Sequence, residues 1–121
     1  MATVLIVDDS PTETHVLQKM LESGGYNILT APDGDQGVGM ARDERPDVVL
    51  IDVVMPGLNG FQATRMLSRD PETADIPVIM VTTKDQETDK AWAMRQGAKH
   101  YLVKPVSQSE LLAKVEEVLQ S

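Results

Sequence analysis

The stretch "VVLIDVVMPG", residues 48–57, begins as a strand and then breaks its own pattern. Val48, Val49, Leu50 and Ile51 are apolar without alternation, as in a strand buried on both faces of a parallel sheet. Asp52 follows at once, with Val53, Val54 and Met55 beyond it. A buried, unpaired carboxylate costs several kcal/mol, so Asp52 stands at the sheet's edge or beside a compensating cation. The rest of the chain has to supply that compensation.

Four similar runs lie elsewhere: "TVLIV" at 3–7, "NILTA" at 27–31, "PVIMV" at 77–81 and "HYLV" at 100–103. A segment of helical composition follows each. Ser10, Pro11 and Glu13 read as an N-cap, a first-turn proline and a capping-box acid, and Gly24 and Gly25 end that helix. Ser107 and Glu110 repeat the capping box ahead of an apolar stripe of Leu111, Leu112, Val115, Val118 and Leu119. The segment 84–96 has few apolar residues beyond Ala91, Trp92 and Met94, which predicts a lightly packed, mobile helix. Met55, Met66, Met80 and Met94 are expected to fill the core. Gly34, Gly37 and Gly39 lack the spacing of a dinucleotide loop and read as a loose helix. His15 and His100 have no ligand-like spacing.

Strand alternating with helix five times predicts an α/β, doubly wound architecture: a five-stranded parallel sheet covered by five helices. With no linker, repeat or low-complexity tract, residues 1–121 read as one domain. Eleven Lys and Arg against nineteen Asp and Glu leave a formal charge of −8, the wrong sign for gripping a nucleic-acid backbone. The chain has no cysteine, which removes disulfides and thiol nucleophiles together. The start "MATVLIVDDS" has no basic n-region and no apolar run approaches a membrane span, so a soluble cytoplasmic protein without membrane insertion is expected.

In such a sheet, ligands sit outside the carboxyl ends of the strands. The polar residues at those ends are Asp8 and Asp9, Asp52, Thr82 and Thr83, and Lys104. Carboxylates packed together repel, and a hard divalent cation such as Mg2+ is their natural partner. A screened carboxylate is a competent nucleophile toward phosphorus, giving an acyl phosphate. Lys104 can pair with a phosphoryl oxygen and the Thr82 hydroxyl can donate to another.

Through "LIVDDS", "VVLIDVVMPGLNG", "VIMVTT" and "YLVKP", in that order and spacing, the chain resembles the receiver domain of bacterial two-component response regulators over essentially its whole length. The wording "DDSPTE", "MPGLNGFQATR" and "TTKDQETDKAW" is most similar to the single-domain, chemotaxis-type regulators of type IV pilus twitching motility. The resemblance implies a flavodoxin-like, CheY-like (βα)5 fold with strand order 2-1-3-4-5. It implies that Asp52 is the phosphoacceptor, with Mg2+ held by Asp8, Asp9, Asp52 and the backbone carbonyl of Val54. Thr82, Thr83 and Lys104 would border the phosphoryl group, Thr82 and Tyr101 would switch, and the Lys104 to Pro105 peptide would be cis. A histidine kinase or histidine phosphotransfer domain would be the donor. The output face would be the fourth helix, fifth strand and fifth helix.

Three positions bear on how long a phosphoryl group would survive. Val54 is apolar where the best-known chemotaxis regulator has an amide, Lys84 is basic where it has an acid, and Thr83 is bulkier than the alanine common there. Rival functions fit less well. An aspartyl phosphatase would place its proton donor at position 54, which is Val54, and a flavin or nucleotide binder would need a Ser/Thr/Gly loop after the first strand. A phosphate-independent binding module does not require the complete set of Asp8, Asp9, Asp52, Thr82 and Lys104. A phosphate sink for a sister regulator would carry the same residues as an output driver.

Overall fold

The computed structural model describes residues 1–121, in which strands and helices alternate without exception. They are β1 (Thr3–Val7), α1 (Pro11–Ser23), β2 (Asn27–Ala31), α2 (Gly34–Glu44), β3 (Val48–Ile51), α3 (Gly60–Arg69), β4 (Val78–Thr82), α4 (Glu87–Gln96), β5 (His100–Val103) and α5 (Gln108–Leu119). All five strands pair in parallel in the order β2-β1-β3-β4-β5. Parallel neighbours need a crossover, and α1 to α4 supply the four, while α5 follows the last strand and packs back on the sheet.

The two faces of the sheet are packed by different helices, as alternation along each strand requires. Leu5, Val7, Val49, Ile51, Val78 and Met80 point to one side, where they meet Val38 and Ala41 of α2, Ala63 and Leu67 of α3 and Ala93 of α4. Val4, Ile6, Val48, Leu50, Ile79 and Val81 point to the other, against Leu17 and Leu21 of α1 and Leu111, Val115 and Val118 of α5. Strand β3 is buried throughout, which explains why "VVLI" carries no polar alternation.

The predicted elements are found, with local differences. Strand β4 runs one residue later than the apolar run suggested, because Pro77 has no N–H for the ladder and contributes only its carbonyl, which accepts from Val49 N at 3.0 Å. Met55 and Met80 are core residues, but Met66 and Met94 are half-exposed. The glycine-rich segment is a regular helix capped by Asp33, whose side chain accepts from Gln36 N. Gly34 and Gly37 are buried because neighbours press on them: a Cβ at Gly34 would lie 2.4 Å from the Leu58 carbonyl, and one at Gly37 would lie 2.7 Å from a Val7 methyl.

Helix α4 buries only Ala93 and Gln96, in keeping with its thin apolar content. Its acids Glu87 and Asp89 lie in the first turn and Arg95 in the last, the favourable polarity for the helix dipole. The Arg95 guanidinium stands 5.8 Å from the centre of the half-exposed Trp92 ring. No helix is long and apolar enough to cross a membrane.

Candidate functional site

The register brings the carboxyl ends of four strands to one rim. Val7 pairs with Ile51, Ile51 with Met80, and Thr82 with Val103, so the residues just beyond them emerge together. Backbone hydrogen bonds then hold the emerging turns: Asp8 N donates to Ala31 O at 3.1 Å, Asp52 N to Val7 O at 3.0 Å and Lys104 N to Thr82 O at 2.8 Å. Under Asp52, helix α3 starts at Gly60, where an added Cβ would fall 2.3 Å from the Asp52 carbonyl oxygen. Only glycine lets the helix approach this closely. Asn59 and Gln62 fix that start through a reciprocal capping box.

The cation that compensates Asp52 is Lys104. Its Nζ lies 3.0 Å from Asp52 Oδ2, 2.8 Å from Asp8 Oδ2 and 3.4 Å from Glu13 Oε1. The lysine side chain is 7% exposed, that of Asp8 2% and that of Asp52 12%. The second oxygens of the two aspartates are also engaged, Asp8 Oδ1 by Ser10 N at 2.9 Å and Asp52 Oδ1 by Val54 N at 3.2 Å. Burial works against the lysine charge, but hydrogen bonds and attraction from Asp8 and Asp52 outweigh it and hold the ammonium above the usual lysine value.

Other expected site residues take different positions. Asp9 is exposed, and with Asp8, Thr14, His15, Gln18 and Thr30 it lines an open cleft of about 330 Å3. Thr82 is fully buried, and its hydroxyl accepts a long 3.4 Å hydrogen bond from Lys84 N, while Thr83 beside it is exposed. The Tyr101 hydroxyl donates to the Lys84 carbonyl at 2.8 Å. Burial, with the negative fields of Asp89, Asp52 and Asp85, pushes this phenol up to about 12. The Lys104–Pro105 peptide is cis. His100 contacts Glu117 at 2.6 Å, away from the site, and His15 is an exposed residue of the cleft.

No three His, Asp or Glu side chains converge as a finished set of metal ligands, because Lys104 stands between Asp8 and Asp52. The donor chemistry nevertheless fits Mg2+. Every available group is a hard oxygen, each carboxylate oxygen retains lone-pair capacity, and Mg2+ keeps several waters and needs only one or two carboxylates from the protein.

One contributor was not apparent from the sequence, and a second, Lys84, was noted there only for phosphoryl lifetime. Glu13 looked like a capping residue, and Ser10 does accept from Glu13 N, but the Glu13 side chain reaches the Lys104 ammonium. Lys84 links Thr82 and Tyr101 through its backbone. Glu13 and Lys104 meet only when β1 and β5 are in one sheet, and Lys84, local to Thr82, reaches Tyr101 only through the pairing of β4 with β5.

Residues 4–116 match the family described as the response regulator receiver domain. Protein PilH of Pseudomonas aeruginosa is 62% identical over 119 residues, covering 98% of each chain. The phosphate regulon transcriptional regulatory protein PhoB of the same species is 39% identical, and the match covers 98% of this chain but 52% of PhoB. Among solved structures, the receiver domain of the sensor histidine kinase PA1611 from Pseudomonas aeruginosa PAO1 superposes with a TM-score of 0.92 at 31% identity, covering 99% of this chain and 98% of that one. That crystal structure holds a magnesium ion coordinated in its active-site cleft. A (βα)5 sheet of order 2-1-3-4-5, an Asp/Lys cluster at its carboxyl rim and full-length similarity to PilH have one reading: the chain is a response regulator, a signalling switch rather than an enzyme, and belongs to the receiver domain family.

Proposed function

We propose that Asp52 accepts a phosphoryl group from a phosphohistidine of a chemosensory histidine kinase or its phosphotransfer domain, and that residues 1–121 act as one receiver unit. The observation that carries this reading is the Lys104 ammonium held between Asp8 and Asp52 at a solvent-reachable rim. In the transfer, a carboxylate oxygen of Asp52 bonds to phosphorus as the bond from phosphorus to the donor imidazole nitrogen breaks, and the imidazole regains a proton. Mg2+, held by Asp8, Asp9, Asp52 and the Val54 carbonyl, would screen the charge on the incoming phosphoryl oxygens. Lys104 is already positioned to follow the negative charge from the carboxylate to the phosphoryl group, with Thr82 and Thr83 bordering it.

Output would be a protein contact made or broken at the face of α4, β5 and α5, with Thr82 and Tyr101 linking that face to the site. The likeness to PilH along both chains supports a place in control of type IV pilus twitching motility.

Intact-mass spectrometry after incubation with acetyl phosphate, with and without Mg2+, tests the reading. One phosphoryl group is expected on the wild type in Mg2+ and none on Asp52→Asn. Equal modification of the Asn variant at the same site would overturn the assignment.

A further inference from the structure

Lys84 occupies an unusual junction. Its backbone N–H is directed at the Thr82 hydroxyl, 3.4 Å away, and its carbonyl accepts from the Tyr101 hydroxyl at 2.8 Å. Its side chain lines a cleft of about 320 Å3 with Val53, Val54, Met55, Asn59 and Phe61, the loop that leaves Asp52. Its Nζ lies 3.8 Å from Asp89 Oδ1 in the first turn of α4. Asp89 in turn accepts from Gln86 N at 3.3 Å through its other oxygen, so one carboxylate both caps α4 and holds Lys84.

The geometry points to Lys84 as a second phosphoryl-binding cation that leaves Asp89 when Asp52 is modified and thereby frees the start of α4. This inference rests on Asp52 being the phosphoacceptor. Three observations support it. First, the Lys84–Asp89 pair is long and reaches solvent, with 41% of the lysine side chain exposed, so it is a weak tie. Second, the phosphoryl group carries roughly −1.5 to −2 charges at neutral pH in place of the single charge of the Asp52 carboxylate and spreads them over three oxygens, whereas Lys104 is already shared among three carboxylates. A flexible four-carbon stem opening onto the Asp52 loop is suited to supply the missing cation. Third, the Tyr101 phenol, which donates to the Lys84 carbonyl at 2.8 Å, feels, beyond the effect of its burial, the charges of Asp89 and Asp52, so this junction senses both the α4 acid and the Asp52 site. Once Lys84 has moved, Asp89 loses its partner, and like-charge repulsion from the phosphoryl group acts on the acidic first turn of α4.

The coupling would therefore pass through an exchange of ion pairs at one lysine. Trp92, the only tryptophan in the chain, sits on α4 and reports on it.

The test compares wild type, Lys84→Gln, Lys84→Arg and Asp89→Asn, each with Mg2+ and acetyl phosphate. Intact mass measures uptake, and Trp92 emission together with hydrogen exchange at residues 86–90 measures the response of α4. Wild type and Lys84→Arg are expected to show uptake with a shift in emission and at least severalfold faster exchange. Lys84→Gln should take up the phosphoryl group with most of that response missing, and Asp89→Asn should show raised exchange before any donor is added. A Lys84→Gln variant that is modified and responds like wild type overturns the inference while leaving Asp52 as acceptor. A wild type that takes up no phosphoryl group from acetyl phosphate or from a phosphorylated chemosensory histidine kinase overturns both.

Discussion

At Lys104 three carboxylates share one ammonium, and removing that ammonium leaves Asp8 and Asp52 side by side without a cation. Breaking a dry ion pair this way costs about 3–5 kcal/mol, and solvent access to Asp52 and Glu13 reduces the expected loss to about 1–3 kcal/mol. Lys104→Ala should therefore unfold at lower urea than wild type in the presence of EDTA, and excess Mg2+ should recover more stability in the variant than in wild type, because the metal no longer competes with the lysine. Equal midpoints without metal would contradict the account. The sequence made Asp8, Asp52 and Lys104 legible because each directly follows a strand. It concealed Glu13, whose position three residues after Ser10 has a sufficient local explanation in the helix cap.

Among the elements, α2 separates two kinds of glycine that look alike in the sequence. Gly34 and Gly37 are pressed by Leu58 and Val7, whereas nothing lies within 4 Å of a Cβ at Gly39. Gly34→Ala forces backbone to move and should cost about 1–3 kcal/mol by overpacking. Gly39→Ala gains helix propensity in open space and should stabilise by about 0.5–1 kcal/mol. Urea unfolding curves should move in opposite directions, and a shared direction would show that contact with Leu58 does not decide the matter. Caps and breakers were readable because they act within a few residues: Ser10 and Ser107 cap their helices and Gly24 and Gly25 end α1 as expected, but neither Glu13 nor Glu110 returns the side-chain bond that would complete a capping box. Phase was not readable in α4, whose few apolar residues do not define a buried stripe. Met94 was accordingly expected inside and lies half outside. Met66 of α3 fails for a different reason: methionine suits an exposed or a buried position equally well.

For the molecule as a whole, two groups set an alkaline limit. Tyr101 is pushed up to about 12 by burial and by Asp89, Asp52 and Asp85, and Lys104 is raised because Asp8 and Asp52 outweigh its burial. In both cases the folded state holds its proton more tightly than the unfolded chain does. Their contributions are complete below about pH 10, near the ordinary values of the two groups, and are lost as pH climbs through the raised ones. Stability should thus fall between about pH 10 and pH 12, and Tyr101→Phe should flatten that part of the curve when urea midpoints are followed by circular dichroism. A variant with the wild-type slope would show that the phenol is not responsible. The five-fold alternation and the rim were legible at this scale because apolar runs and the residues ending them are sequence features. Which helices share a face was not, since it depends on the crossovers of the completed sheet.

The rim that gathers Asp8, Asp52, Thr82 and Lys104 leaves the opposite end of the sheet, where helices return to strands, free of chemistry. Asp75, exposed in the loop between α3 and β4, lies at that far end, and the chain contains no cysteine. A single Asp75→Cys substitution would therefore give one unique thiol by which every molecule could be tethered in the same orientation. An anchored layer of this kind would present its acidic rim uniformly outward, toward whatever donor flows past it.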